Sequence, residues 1–180
     1  MKKVVVFLAD GAEEIEALSP VDMLRRAGAD VTLAGVGKKE IICAHNVKIV
    51  CDKELSEVSG EDFDMYVLPG GGLGTENLSH SGLVLDTVKK AYSDGKTVAA
   101  ICAAPSVLGK AGILKGKKAT CYPGFEKYLE GAETVLGNVV CDGNIITSRG
   151  AGTAMSFSLA LVEILYGKDK AEEIRKAVIA

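Results

Sequence analysis

Three uninterrupted apolar runs constrain this chain more than any other feature: Lys3–Ala9, Asp64–Leu68 and Thr97–Ile101. A strand with one wet face alternates polar and apolar residues. These runs do not, so each reads as a strand covered on both faces, the arrangement of a parallel sheet between helix layers. Each run also stops abruptly. Asp10-Gly11 ends the first, Pro69-Gly70-Gly71-Gly72 the second and Cys102 the third. Helical patterns follow. Glu13 to Ala27 carries an apolar face of Ile15, Leu18, Val21, Met23 and Leu24, with Gly28 as C-cap. Leu83–Ala91 is ended by Gly95, and a further helix spans Ala103 to Lys110. Strands alternate with helices, which predicts an α/β fold with a mostly parallel sheet and helices on both faces.

The rest of the chain fits this scheme. Asp30–Val36 reads as a strand, and Ile41–Cys43 with Val47–Cys51 as a hairpin. Ala119–Cys121 reads as a short strand and Phe125–Leu129 as a helical turn. Val135–Cys141 and Asn144–Thr147 flank Asp142-Gly143, a strong hairpin signal. Helices close the chain at Thr153–Tyr166 and Asp169–Val178. No linker or repeat divides the sequence, so residues 1–180 are expected to form one domain.

Charge and cysteine content narrow the function. A net charge of −3 gives no electrostatic case for a nucleic-acid partner. No apolar run reaches the roughly 18 residues that span a bilayer, and the run after Met1-Lys2-Lys3 is too short for a signal peptide. The five cysteines, at 43, 51, 102, 121 and 141, are odd in number and include no CxxC pair. A reduced, cytoplasmic setting without disulfides is expected. With His45 and His80 the only histidines, a metal centre is not expected.

Cys102 is the sharpest candidate for chemistry. The stretch Val98-Ala99-Ala100-Ile101-Cys102-Ala103-Ala104-Pro105 reads as strand, turn and helix. It places a thiol at the carboxyl end of a buried strand, where open α/β sheets put their sites. The helix start is expected to lower its pKa; the alternative is a small buried hydrophobe. Gly70-Gly71-Gly72 can form an oxyanion hole, cradle a phosphate or simply turn the chain. It is neither a P-loop nor a dinucleotide fingerprint. Glu16 lies among apolar neighbours and can point inward, which would raise its pKa. Glu13 and Glu14 read as a solvated helix start. Arg149 either binds an anion or makes an ion pair. His45 and His80, in a hairpin and a polar loop, offer no context for base catalysis.

Four segments in order, Ala12-Glu13-Glu14-Ile15-Glu16, Leu68-Pro69-Gly70-Gly71, Ala99 to Pro105 and Thr147-Ser148-Arg149-Gly150, resemble the ThiJ/PfpI superfamily. The closest resemblance is to its branch containing the Parkinson-disease-associated deglycase and the YajL-like bacterial proteins. It covers nearly the whole chain. It implies a flavodoxin-like three-layer sandwich, usually a homodimer, with Cys102 as an oxidisable nucleophile on a strained elbow. Glu16 would be its buried, protonated partner, and Gly71 and Ala103 would donate backbone N–H groups to an oxyanion; Gly70, Tyr122 and Arg149 would complete the pocket. The implied activities need no cofactor: conversion of reactive dicarbonyls such as methylglyoxal to hydroxy acids, deglycation of proteins, or redox-regulated chaperoning of misfolded ones through Cys102 oxidation. Several branches carry a histidine where Thr120-Cys121-Tyr122-Pro123 places Tyr122. A phenol there can hydrogen-bond a substrate but is a poor base at neutral pH.

Overall fold

The computed structural model describes residues 1–180. Its strands are β1 (Lys3–Leu8), β2 (Asp30–Gly35), β3 (Glu40–Ile42), β4 (Lys48–Val50), β5 (Lys53–Glu54), β6 (Met65–Leu68), β7 (Thr97–Ile101), β8 (Lys118–Ala119), β9 (Glu133–Thr134), β10 (Val139–Asp142) and β11 (Ile145–Ser148). Its helices are α1 (Glu14–Arg26), α2 (Leu55–Val58), α3 (Gly72–His80), α4 (Gly82–Ser93), α5 (Pro105–Lys110), α6 (Ala154–Tyr166) and α7 (Lys168–Ala177). The main sheet has the order β10-β11-β7-β6-β1-β2-β5, and every pairing in it is parallel except β10 with β11.

The apolar runs explain the layers. Side chains alternate across a strand. Val4, Val6 and Leu8 of β1 face one core with α1, α6 and α7, whereas Val5, Phe7 and Ala9 face a second core with α2, α4 and α5. Both faces are covered, as continuous runs require. The sandwich is flavodoxin-like.

The strand order also places the site. From β1 the chain moves outward to β2 and β5, then returns to β6 on the opposite side of β1. The connections leaving β1 and β6 therefore diverge, and a crevice opens at the carboxyl ends of the strands.

Four expectations need correction. Gly72, read as part of a glycine loop, starts a helix, and His80, read as part of a polar loop, ends it: α3 occupies Gly72–His80. Two glycines hide this helix from pattern reading. Packing secures it, with Thr75 and Leu78 buried. The helix after Cys102 begins at Pro105, not Ala103. Val135–Cys141 is not one strand: Glu133–Thr134 pairs with β8, and only Val139–Asp142 pairs with β11, with Gly137 between. Ala119–Cys121 shortens to Lys118–Ala119. The β3–β4 and β10–β11 hairpins form as expected.

Candidate functional site

The turns after β1, β6 and β7 converge on a pocket of about 280 Å³, lined by Glu13, Glu16, Gly71, Gly72, Cys102, Ala103, Tyr122, Phe125 and Ala151. Cys102 has φ of 65°, in the left-handed region that a side chain other than glycine rarely adopts. Its backbone is pinned on both sides. The Cys102 N–H donates to the Ser148 carbonyl at 3.0 Å, and its carbonyl accepts from the Tyr122 N–H at 2.8 Å. These bonds hold the elbow between β11 and the Tyr122 turn.

Glu16 is 1% exposed. It comes from the first turn of α1, and Pro20 lacks the N–H that would bond the Glu16 carbonyl four residues earlier. Its Oε2 accepts the Gly70 N–H at 2.9 Å, while Oε1 has no hydrogen-bond partner. Burial raises the Glu16 pKa to about 7, against the pull of Cys102 and of the Gly70 N–H. The carboxyl thus gains and loses a proton near neutral pH.

The thiol corrects one expectation. Burial, then the charge of an ionised Glu16 and the hydrogen bond between the two groups, push Cys102 up to about 12. The N–H groups of Gly71 and Ala103 act on its sulfur in the opposite direction but do not prevail. The helix start does not outweigh burial, because α5 begins three residues beyond Cys102. The proton of the pair therefore rests on sulfur, and an ionised Glu16 is the neighbouring acceptor that can take it as the sulfur bonds to carbon. Once Glu16 carries the proton, its repulsion of a thiolate disappears.

Gly70 and Gly71 are dictated by space. A Cβ on Gly70 would meet Glu16 Oε2 at 2.5 Å and Cys102 Cβ at 2.6 Å. Gly70 is thus the floor between the two reactive groups. Gly71 lies at φ of 89°, and a Cβ there would be 2.2 Å from the Gly11 carbonyl oxygen.

Arg149 does not reach this pocket. It lines a separate cleft with Thr120, Cys121, Glu126, Thr134, Val135 and Leu136, and makes no ion pair. Nor are Glu13 and Glu14 a solvated helix start. Glu14 accepts the His45 N–H at 2.7 Å and meets His45 Nδ1 at 2.9 Å, and Glu13 faces the Cys102 pocket. His45 raises no base of its own here; it clasps the β3–β4 turn to α1. Glu13, Glu14 and His45 also have the spacing of metal ligands, but the imidazole–carboxylate hydrogen bond accounts for that arrangement. Cys43, Cys51 and Cys121 are buried, and burial pushes all three thiols up to about 11. Phe125 and Ala151 were missed as pocket residues. Only the i, i+3 spacing of Tyr122 and Phe125 hinted at the former.

Residues 2–164 match the DJ-1/PfpI family. The chain belongs to that family. Among its DJ-1/PfpI relatives, the Drosophila melanogaster protein dj-1beta is 44% identical, over 99% of this chain and 97% of the relative. Its crystal structure superposes with a TM-score of 0.95, covering 99% of this chain and 98% of that one. The structure of oxidized Toxoplasma gondii DJ-1 gives a TM-score of 0.96 at 37% identity, with 99% and 98% covered. The glutathione-independent glyoxalase DJR-1.2 of Caenorhabditis elegans is 37% identical, over 93% of this chain and 90% of the relative. No helix of the chain is long and apolar enough to cross a membrane.

Proposed function

We propose that the protein converts small reactive dicarbonyls, of which methylglyoxal is the simplest probe, to hydroxy acids through Cys102 and Glu16. One observation carries the reading: a nucleophile on a left-handed elbow shares a pocket with a buried carboxyl whose pKa is raised to about 7. A relative whose name is glutathione-independent glyoxalase supports the same chemistry.

Sulfur attacks the aldehyde carbon, and the thiol proton passes to the Glu16 carboxylate. Glu16 therefore acts as a base at the moment of attack, and no standing thiolate is required. The Gly71 and Ala103 N–H groups, which act on the sulfur, would receive the developing oxyanion. The hemithioacetal takes the proton back onto oxygen. Glu16 then removes the hydrogen from that carbon and returns it to the neighbouring one, while the hydroxyl proton moves from the hemithioacetal oxygen to the former ketone oxygen, leaving a thioester. The aldehyde carbon is oxidised and the ketone carbon reduced within one molecule, so no external oxidant is needed. Water cleaves the resulting thioester, releasing the hydroxy acid and the thiol. Tyr122, 51% exposed at the mouth, offers a hydroxyl for substrate. Exposed Ile15, Leu18, Ile42, Val47 and Val50 on α1 and the β3–β4 hairpin support a homodimer as the working form.

A second reading has Cys102 oxidised to a sulfinate, with the same N–H groups and Glu16 holding its oxygens. The oxidized state named for the Toxoplasma relative favours keeping it. Methylglyoxal consumption by wild type and Cys102→Ser, run beside peroxide titration with intact-mass measurement, separates the two. Turnover that vanishes in Cys102→Ser supports the enzyme. A serine variant as active as wild type overturns it. Rapid gain of two oxygens by wild type without turnover points to the redox role.

A further inference from the structure

A second chamber of about 650 Å³ adjoins the Cys102 pocket, and the two share Gly72 and Phe125 in their walls. Its other walls include Thr75, Ser106, Lys110 and Tyr128. One aromatic wall runs through both spaces. Tyr122 lines the thiol pocket, Phe125 lines both, and Tyr128 lines the outer chamber. The Tyr122 and Phe125 rings meet edge to face at 6.4 Å, and those of Phe125 and Tyr128 lie tilted to one another at 5.7 Å. The backbone sets this alignment. Phe125 N–H donates to the Tyr122 carbonyl and Tyr128 N–H to the Phe125 carbonyl. Two successive three-residue turns bring residues 122, 125 and 128 to one side.

Two further observations point to a ligand here. Thr75 is buried, and its hydroxyl has no hydrogen-bond partner. Lys110 is outnumbered by Glu76 and Glu130, and its ammonium is tied to the Ser79 carbonyl at 2.8 Å. The carboxylates outnumber the ammonium, so the chamber does not attract an anionic group. Rings on one wall favour a flat apolar guest, which can pack against their edges and faces.

We propose that this chamber binds an uncharged aryl tail on the aldehyde that Cys102 attacks, with Phe125 and Tyr128 as the specificity-determining residues. The inference rests on the dicarbonyl reading for the identity of the reacting end. Methylglyoxal would leave the chamber empty, whereas the ring of an aryl ketoaldehyde would lie toward the wall formed by Phe125 and Tyr128.

Two measurements on the full chain test it, each made on wild type and Tyr128→Ala. Tyr128 is 47% exposed, so its truncation does not open the core. The first is the ratio of kcat/KM for phenylglyoxal to that for methylglyoxal. The second is the ratio of Cys102 alkylation rates by N-phenyl iodoacetamide and by iodoacetamide, which needs no turnover. Both ratios are expected to exceed one in wild type and to fall about tenfold in the variant. Ratios unchanged by the substitution overturn the proposal. Dicarbonyl turnover with unchanged ratios leaves the catalytic reading intact and removes the aryl site. No turnover of either dicarbonyl, with an alkylation ratio that falls, retains the aryl site and removes the catalytic reading.

Discussion

β6 and β7 lie side by side and parallel, and each ends in a tight turn leading to a helix. Both turns need a residue in the left-handed region, Gly71 at 89° and Cys102 at 65°. The β6 turn fills that position with glycine, which adopts it freely. The β7 turn fills it with a cysteine and bears the steric cost, about 1–2 kcal/mol for such a residue. The first turn is shaped by space and the second by chemistry. Glu16 joins them, with one oxygen on the Gly70 N–H and Cys102 as its side-chain neighbour. Its burial adds a second cost in the same few ångströms. Unfavourable terms are concentrated on the reactive side of the pair, the usual mark of a functional site.

The comparison breaks most easily at Gly71. In Gly71→Ala the new Cβ would strike the Gly11 carbonyl oxygen and the Glu13 N–H, both backbone, while φ stays in the left-handed region. No side chain can swing away to relieve it. We expect a loss of at least about 3 kcal/mol in urea unfolding, with the β1 and β6 turns forced apart. A loss below 1 kcal/mol would mean that the β6 turn is not governed by space.

How much of this was legible in sequence follows the same division. The β strands at the sheet centre were readable because continuous apolar runs admit few other structures. Cys102 and Glu16 were identifiable as a thiol after such a run and a carboxylate amid apolar neighbours. The direction of the thiol shift was not, since it depends on the balance between burial and the N–H groups around sulfur, which no local pattern records. α3 was hidden because Gly72 and Gly74 read as loop, although the Gly74 backbone packs against Ala12 too closely to admit a Cβ. The roles of Glu13, Glu14 and His45 were equally hidden, because they arise from a contact across about thirty residues.

The Glu16 cost has a pH signature. Its folded pKa, about 7, lies above the usual glutamate value. Below about pH 4.5 both folded and unfolded chains carry the proton, and nothing is lost. Between 4.5 and 7 the unfolded chain releases it while the folded chain keeps it, so this group removes stability as pH rises. Above 7 the loss is complete, at about 3 kcal/mol. Glu16→Gln cannot ionise. Urea unfolding across this range should show the variant gaining on wild type by up to that amount. A difference that stays flat with pH would mean that Glu16 is not the buried acid of the pair.

Cys102→Gly probes the other side of the comparison and should have the smallest effect. Glycine removes the left-handed strain but adds backbone freedom to the unfolded chain, worth roughly 0.5–1 kcal/mol, and gives up the packing of a half-buried thiol. These terms oppose each other, so the variant should unfold within about 1 kcal/mol of wild type. The two turns then respond asymmetrically: adding a Cβ at Gly71 is severe, whereas deleting one at Cys102 is nearly neutral. If Cys102→Gly costs as much as Gly71→Ala, the cysteine supports the fold through packing, and its left-handed conformation holds no strain. If the cost is small, stability gives no reason for a side chain at this position, and the thiol is there for the chemistry it performs.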